Sequence, residues 1–168
     1  MKRTLPNKRH PPSDFFAELR WIDGRPLPDV IEPYRAKILH DALYTFDHDG
    51  RPTYNLVLAG RAKKNWKSVD LILAAFYRFY VWKDGGDGYL VANDEDQAAD
   101  DLEIARKLID ANPILSAESE ATNTAIVHAS GRKLRILPAG DVIGSHGKTY
   151  GFIGFDEIHG YRNWDLFE

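Results

Sequence analysis

The chain has no cysteine, which excludes disulfides and thiolate metal centres and is compatible with a reducing compartment. It has little net charge: 22 Lys and Arg against 25 Asp and Glu leave −3 over 168 residues. That excludes the global basic field of a protein that wraps nucleic acid, so any contact with DNA must be local. No apolar run is long enough to span a bilayer, and the longest, residues 69–82, is broken by Asp70 and Arg78. The N-terminus lacks the apolar core of a signal peptide. There is no internal repeat and no low-complexity segment. The remaining composition, 43% hydrophobic and 28% charged, is that of one globular domain with a respectable core.

Residues 1–30 read as a basic, turn-rich segment ahead of a domain spanning 31–168. The first dozen residues, MKRTLPNKRHPP, read as a mobile tail or as a local contact to DNA phosphates. A short helix over 14–19, capped by Ser13, precedes the turns of DGRPLPD. A longer helix over 31–44 tolerates Pro33 in its first turn. The apolar run NLVLA, residues 55–59, suits a central strand, and residues 60–66 form a basic loop. Residues 67–80 predict a helix that is apolar almost all round. A strand over 89–92 leads to a helix that Asp94 can cap, running to about Ala111 with Ala98, Leu102, Ala105, Leu108 and Ile109 on its buried face. Two strands at 124–128 and 133–137 look like a hairpin, residues 150–155 read as the last strand, and a short helix begins near Asn163. This order predicts an α/β fold, a three-layer sandwich around a mostly parallel sheet, with the hairpin as an addition.

Two motifs carry chemistry. The run GFIGFDEIHG delivers the adjacent carboxylates Asp156 and Glu157 to the end of a buried strand. One such acid can hold Mg²⁺ through its water shell while the next orients or deprotonates a water that attacks a γ-phosphate. Well upstream, LVLAGRAKKNWKS places Lys67 and Ser68 at the opening of a helix. There the lysine can bridge phosphates, the hydroxyl can bind Mg²⁺, and the helix N-terminus favours anions. The pattern departs from G-x-x-x-x-G-K-[ST]: Trp66 stands at the second glycine, Arg61 at the first, and Gly60 lies one residue earlier. Glycine at such a position permits a positive φ and a close approach of backbone to phosphate. Arg61, among the loop cations Arg61, Lys63 and Lys64, is the candidate for offsetting charge on the γ-phosphate, as an arginine finger in cis does. Each motif alone is compatible with a solvated loop or strand end. Together they point to a P-loop nucleotide hydrolase.

The segments EPYRAKIL (32–39), LAGRAKKNWKS (58–68), YLVANDEDQA (89–98), GSHG (144–147) and GFDEIHG (154–160) together resemble the ATPase domain of the large terminase subunit, the DNA-packaging motor of tailed bacteriophages. The resemblance implies a P-loop NTPase of the additional-strand, catalytic-glutamate (ASCE) type. It places Lys67, Ser68, Gly60 and Asn65 around ATP phosphates, Ser68 and Asp156 on Mg²⁺, Glu157 as the catalytic base and Tyr34 near the adenine. Arg35 stands where the family often has glutamine. Asn93 and Gln97 match polar family positions without an assigned role; His146 and His159 read as site-lining or structural. The resemblance further implies double-stranded DNA, a small terminase subunit and a portal protein as partners, a homo-oligomer during packaging, no membrane, and the cytoplasm of a bacterial host. Only 11 residues follow Glu157 (168 − 157). The ATPase domain is therefore expected to be incomplete at its C-terminus. Two alternatives stay open: a DExH-type helicase lobe, from DEIH, and a non-catalytic nucleotide-binding remnant, from Trp66.

Overall fold

In the computed structural model, residues 10–82, 85–142 and 150–161 are described; the first nine residues of the expected tail over 1–12, GSHG with His146, and the helix near Asn163 lie outside them. Proline starts three of the helices by presetting φ where no intrahelical N–H is needed. Helix α1 (Pro12–Ala17) begins on Pro12 after Pro11, with no side-chain cap, so Ser13 lies inside the helix rather than before it. Helix α2 (Pro33–Tyr44) begins on Pro33, two residues later than expected. Helix α3 (Lys67–Phe76) buries Val69, Ile72, Leu73, Ala75 and Phe76 and continues as a π-helical turn, Tyr77–Val81. Strand β1 (Asp87–Ala92) precedes α4 (Glu95–Asp110), whose first turn is capped by Asp94 accepting from the Gln97 N–H. Pro113 then opens a short further helix, α5 (Pro113–Ser116).

Strands β2 (Ser119–Ala121), β3 (Ala125–His128) and β4 (Lys133–Pro138) form an antiparallel run, α6 (Ala139–Val142) follows, and β5 (Tyr150–Phe155) closes the order. The sheet order is β2-β3-β4-β1-β5, with β4, β1 and β5 mutually parallel and β3 antiparallel to β4. The protein is therefore α/β, with a mixed five-stranded sheet around a parallel core. The hairpin is present, extended by β2, which the sequence pattern did not announce.

Strand alternation divides the core. Leu90, Leu134 and Ile136 face α3 and α4, which touch each other and share one apolar cluster with Phe15, Phe16, Leu19 and Leu27. The N-terminal segment is thus stitched into the main core by its apolar residues. On the opposite face Tyr89 and Val91 pack with Tyr161, Leu137 and Phe155. Among the described residues the arrangement is two layers, with both long sheet-packing helices on one face, rather than the expected three.

The run 55–59 is not a strand. Leu56 and Leu58 are 76% and 77% exposed, and the segment passes outside the sheet. A strand exists through its inter-strand hydrogen bonds, and among the described residues none stands beside this run. It instead forms one wall of a cleft of about 810 Å³, whose other walls come from α2, α3 and β5.

Candidate functional site

The two sequence motifs meet across this cleft. Helix α3 packs against β1 and β5, and this brings its first turn to the carboxyl end of β5. Ser68 Oγ donates to Asp156 Oδ2, a hydrogen bond joining residues 88 apart. Asp156 is 4% exposed. Its backbone N–H donates to the Val91 carbonyl at 2.9 Å, which continues the β1–β5 ladder by one residue, and its Oδ1 accepts the Glu157 N–H at 2.9 Å. Lys67 lines the same cleft and donates from Nζ to the Arg61 carbonyl at 3.2 Å. Glu157, Ile158 and His159 line it beside Gly60 and Arg61, with His159 exposed.

Backbone strain is concentrated here. The non-glycine residues with positive φ among those described are Lys64 (62°), Trp66 (57°) and Glu157 (48°). A side chain in this region costs about 1 kcal/mol or more, and such residues collect at ligand sites where surrounding contacts hold them. Position 66 therefore has the left-handed backbone that a glycine adopts without cost, here taken by a tryptophan. No side chain caps α3, and its first backbone bond is Asp70 N–H to the Trp66 carbonyl. Uncapped first-turn N–H groups next to left-handed residues make an anion-seeking concavity.

The remaining expected residues are less central. Arg61 is not free: Nη2 pairs with Asp70 Oδ2 at 2.5 Å, Nη1 donates to the Asn65 carbonyl at 3.3 Å, and Nε is buried without a partner. Asn65 takes part through that carbonyl. Gly60 has open space around it, so a side chain there meets no obstacle within 4 Å. Tyr34 is 48% exposed on α2 and is not among the residues lining the cleft. Asn93 packs against Gly160, where a Cβ would come within 2.8 Å of its Oδ1, and Gln97 Nε2 donates to Asp101 at 3.2 Å.

Three charged residues went unassigned by sequence reasoning. Arg35 is 1% exposed and holds Asp70 and Glu32; Asp70 is 4% exposed; Asp101 is 2% exposed on α4. Burial, and then the negative charge of Asp156, push the Asp101 carboxyl up to about 7. The signal for Asp70 and Asp101 was available: each is a carboxylate on a helical face otherwise made of apolar side chains.

Among the described residues no group of three or more His, Cys, Asp or Glu could hold a metal by itself. A hydrated Mg²⁺ keeps waters and takes one or two carboxylates plus substrate phosphates. The residues that fit such an ion are Ser68 and Asp156, whose oxygens already meet. A second depression of about 490 Å³, lined by Arg106, Asp110, Ser116 and Glu120, contains none of the motif residues. No protein-family model, no curated protein and no solved structure matches the chain.

Proposed function

We propose that the cleft is an ATP site of P-loop type, and that the chain is an ATPase segment of a DNA-packaging motor resembling the large terminase subunit. The observation that carries the reading is the hydrogen bond from Ser68 at the opening of α3 to Asp156 at the end of β5. A hydroxyl and a carboxylate supplied by these two elements are what a phosphate-bound Mg²⁺ requires. Lys67 on the same cleft wall supplies the phosphate cation by exchanging the Arg61 carbonyl for phosphate oxygens. Glu157, which lines the cleft and has a left-handed backbone, is the base that orients water for in-line attack in this reading. Mg²⁺ held by Ser68 and Asp156 would supply charge neutralisation on the phosphates. The larger assembly proposed with this reading acts on double-stranded DNA, with a small subunit and a portal as partners, in the cytoplasm of a bacterial host.

The test is Mg-ATP binding by calorimetry and phosphate release, using wild type, Lys67→Ala and Glu157→Gln. Lys67→Ala should abolish binding. Glu157→Gln should bind normally while turnover falls by about 10²–10⁴-fold. Turnover indifferent to both substitutions removes the site.

A non-catalytic nucleotide-binding module is favoured by one observation: the Arg61 guanidinium is already engaged by Asp70. Binding in wild type without any phosphate release selects that alternative.

A further inference from the structure

Trp66 adopts φ 57° and ψ 24° immediately before α3, although it is not a glycine. Two contacts hold its ring. The Arg35 guanidinium carbon lies 5.3 Å from the centre of the Trp66 ring, and Trp21 meets that ring edge-on at 5.6 Å and 82°. From its other nitrogens Arg35 donates to Asp70 Oδ1 at 3.0 Å (Nε) and 2.6 Å (Nη2), and to Glu32 Oε2 at 2.6 Å (Nη1). Asp70 in turn pairs with Arg61, whose Nη1 holds the Asn65 carbonyl and whose own carbonyl holds Lys67. The connections run from α2 through α3 to both ends of the loop 61–67.

We propose that Arg35 is a positioning residue for this loop, fixing its shape through Asp70 and Trp66 and thereby doing with side chains what a glycine does with backbone freedom. Two physical facts support this. A guanidinium can hold a carboxylate with its fork and lie over an indole at once, which an ammonium cannot do. A left-handed tryptophan persists only when neighbouring contacts over-determine it. The proposal rests on the nucleotide reading above for its ligand, but the conformation of the loop is measurable without nucleotide.

The experiment has two arms. In nucleotide-free protein, limited trypsin digestion reads cleavage after Lys63 and Lys64, and thermal melting checks the fold. Arg35→Lys should accelerate that cleavage by about tenfold, the order of a lost cation–π contact and fork. In the second arm, Mg-ATP affinity is measured by calorimetry. Arg35→Lys should weaken it by about tenfold, and adding Trp66→Gly should restore it to within about threefold, because glycine takes the left-handed conformation without support. Should Arg35→Lys fail to fold, Trp66→Leu tests the same point at a position 41% exposed. Leucine should weaken binding about as much, and glycine alone should not.

Equal cleavage in wild type and Arg35→Lys overturns the positioning role, whether or not nucleotide binds. Weakened binding that Trp66→Gly fails to restore also overturns it, since Arg35 then supports only the fold. Altered cleavage together with no Mg-ATP binding in wild type overturns the nucleotide reading and leaves Arg35 ordering the loop.

Discussion

Asp101 illustrates how much a single buried carboxylate sets in this molecule. Its folded-state pKa, about 7, lies above the ordinary 3.8 because burial and the neighbouring Asp156 disfavour its charge. Below the unfolded value the proton is bound in both states and the folded protein carries no penalty. As pH rises toward the folded value, the unfolded chain releases the proton first, and stability falls through that window. Above it the folded protein must bury an anion. Asp101→Asn removes this slope. In metal-free buffer, urea denaturation near pH 8 should show the variant more stable by about 2–4 kcal/mol, with near equality only below about pH 4. A wild-type slope retained in the variant would assign the effect elsewhere. Arg35 and Asp70 meet burial with a different solution: each is buried, and the two are paired with each other at 2.6 Å. Arg35 was hard to see in the sequence because α2 shows it as one more polar position. Its burial comes from packing against α3, at a sequence distance of 35 residues.

Helix α4 was the most legible element, and its start shows why. Asp94 accepts the Gln97 N–H at 2.9 Å, acids occupy the first turn, and the apolar positions recur at helical spacing. Asp94→Ala should cost about 1 kcal/mol in denaturant melts, with the fold retained. A loss below about 0.3 kcal/mol would mean that tertiary packing alone holds that end. Strands β1 and β5 and the β3–β4 hairpin were legible for similar reasons, since alternation and turn residues are local signals. The run 55–59 was misleading because its composition is that of a buried strand, whereas pairing depends on what lies next to it. Strand β2 was missed because three residues give no readable period. The π-helical turn escaped because it keeps the aromatic residues Tyr77, Phe79 and Tyr80 buried, as an α-helix would be expected to. At the site, the convergence of Ser68 and Asp156 was legible in the pair of motifs, a hydroxyl opening one helix and a carboxylate ending one strand, although the run before the loop is not a strand. The engagement of Arg61 by Asp70 did not, since no local pattern encodes which acid a loop arginine will meet.

At the scale of the whole molecule, the described sheet ends on β5, where Ile153 is 43% exposed, and across the cleft Leu56, Val57 and Leu58 are exposed as well. An open edge flanked by apolar side chains is an association-prone surface. Replacing both Leu56 and Leu58 with Lys should lower the binding of a hydrophobic dye and reduce concentration-dependent sedimentation. At exposed positions this should cost less than about 0.5 kcal/mol of stability. Unchanged dye binding would locate the sticky surface elsewhere. The bond between Ser68 and Asp156 has a different consequence at this scale, because it spans 88 residues of chain. A helix such as α4 can assemble from neighbours, but this pair waits on the closure of a long loop, whose entropy must be offset by the core first. The meeting of Ser68 with Asp156 is therefore expected late in refolding, so that whatever the cleft binds meets only the finished topology.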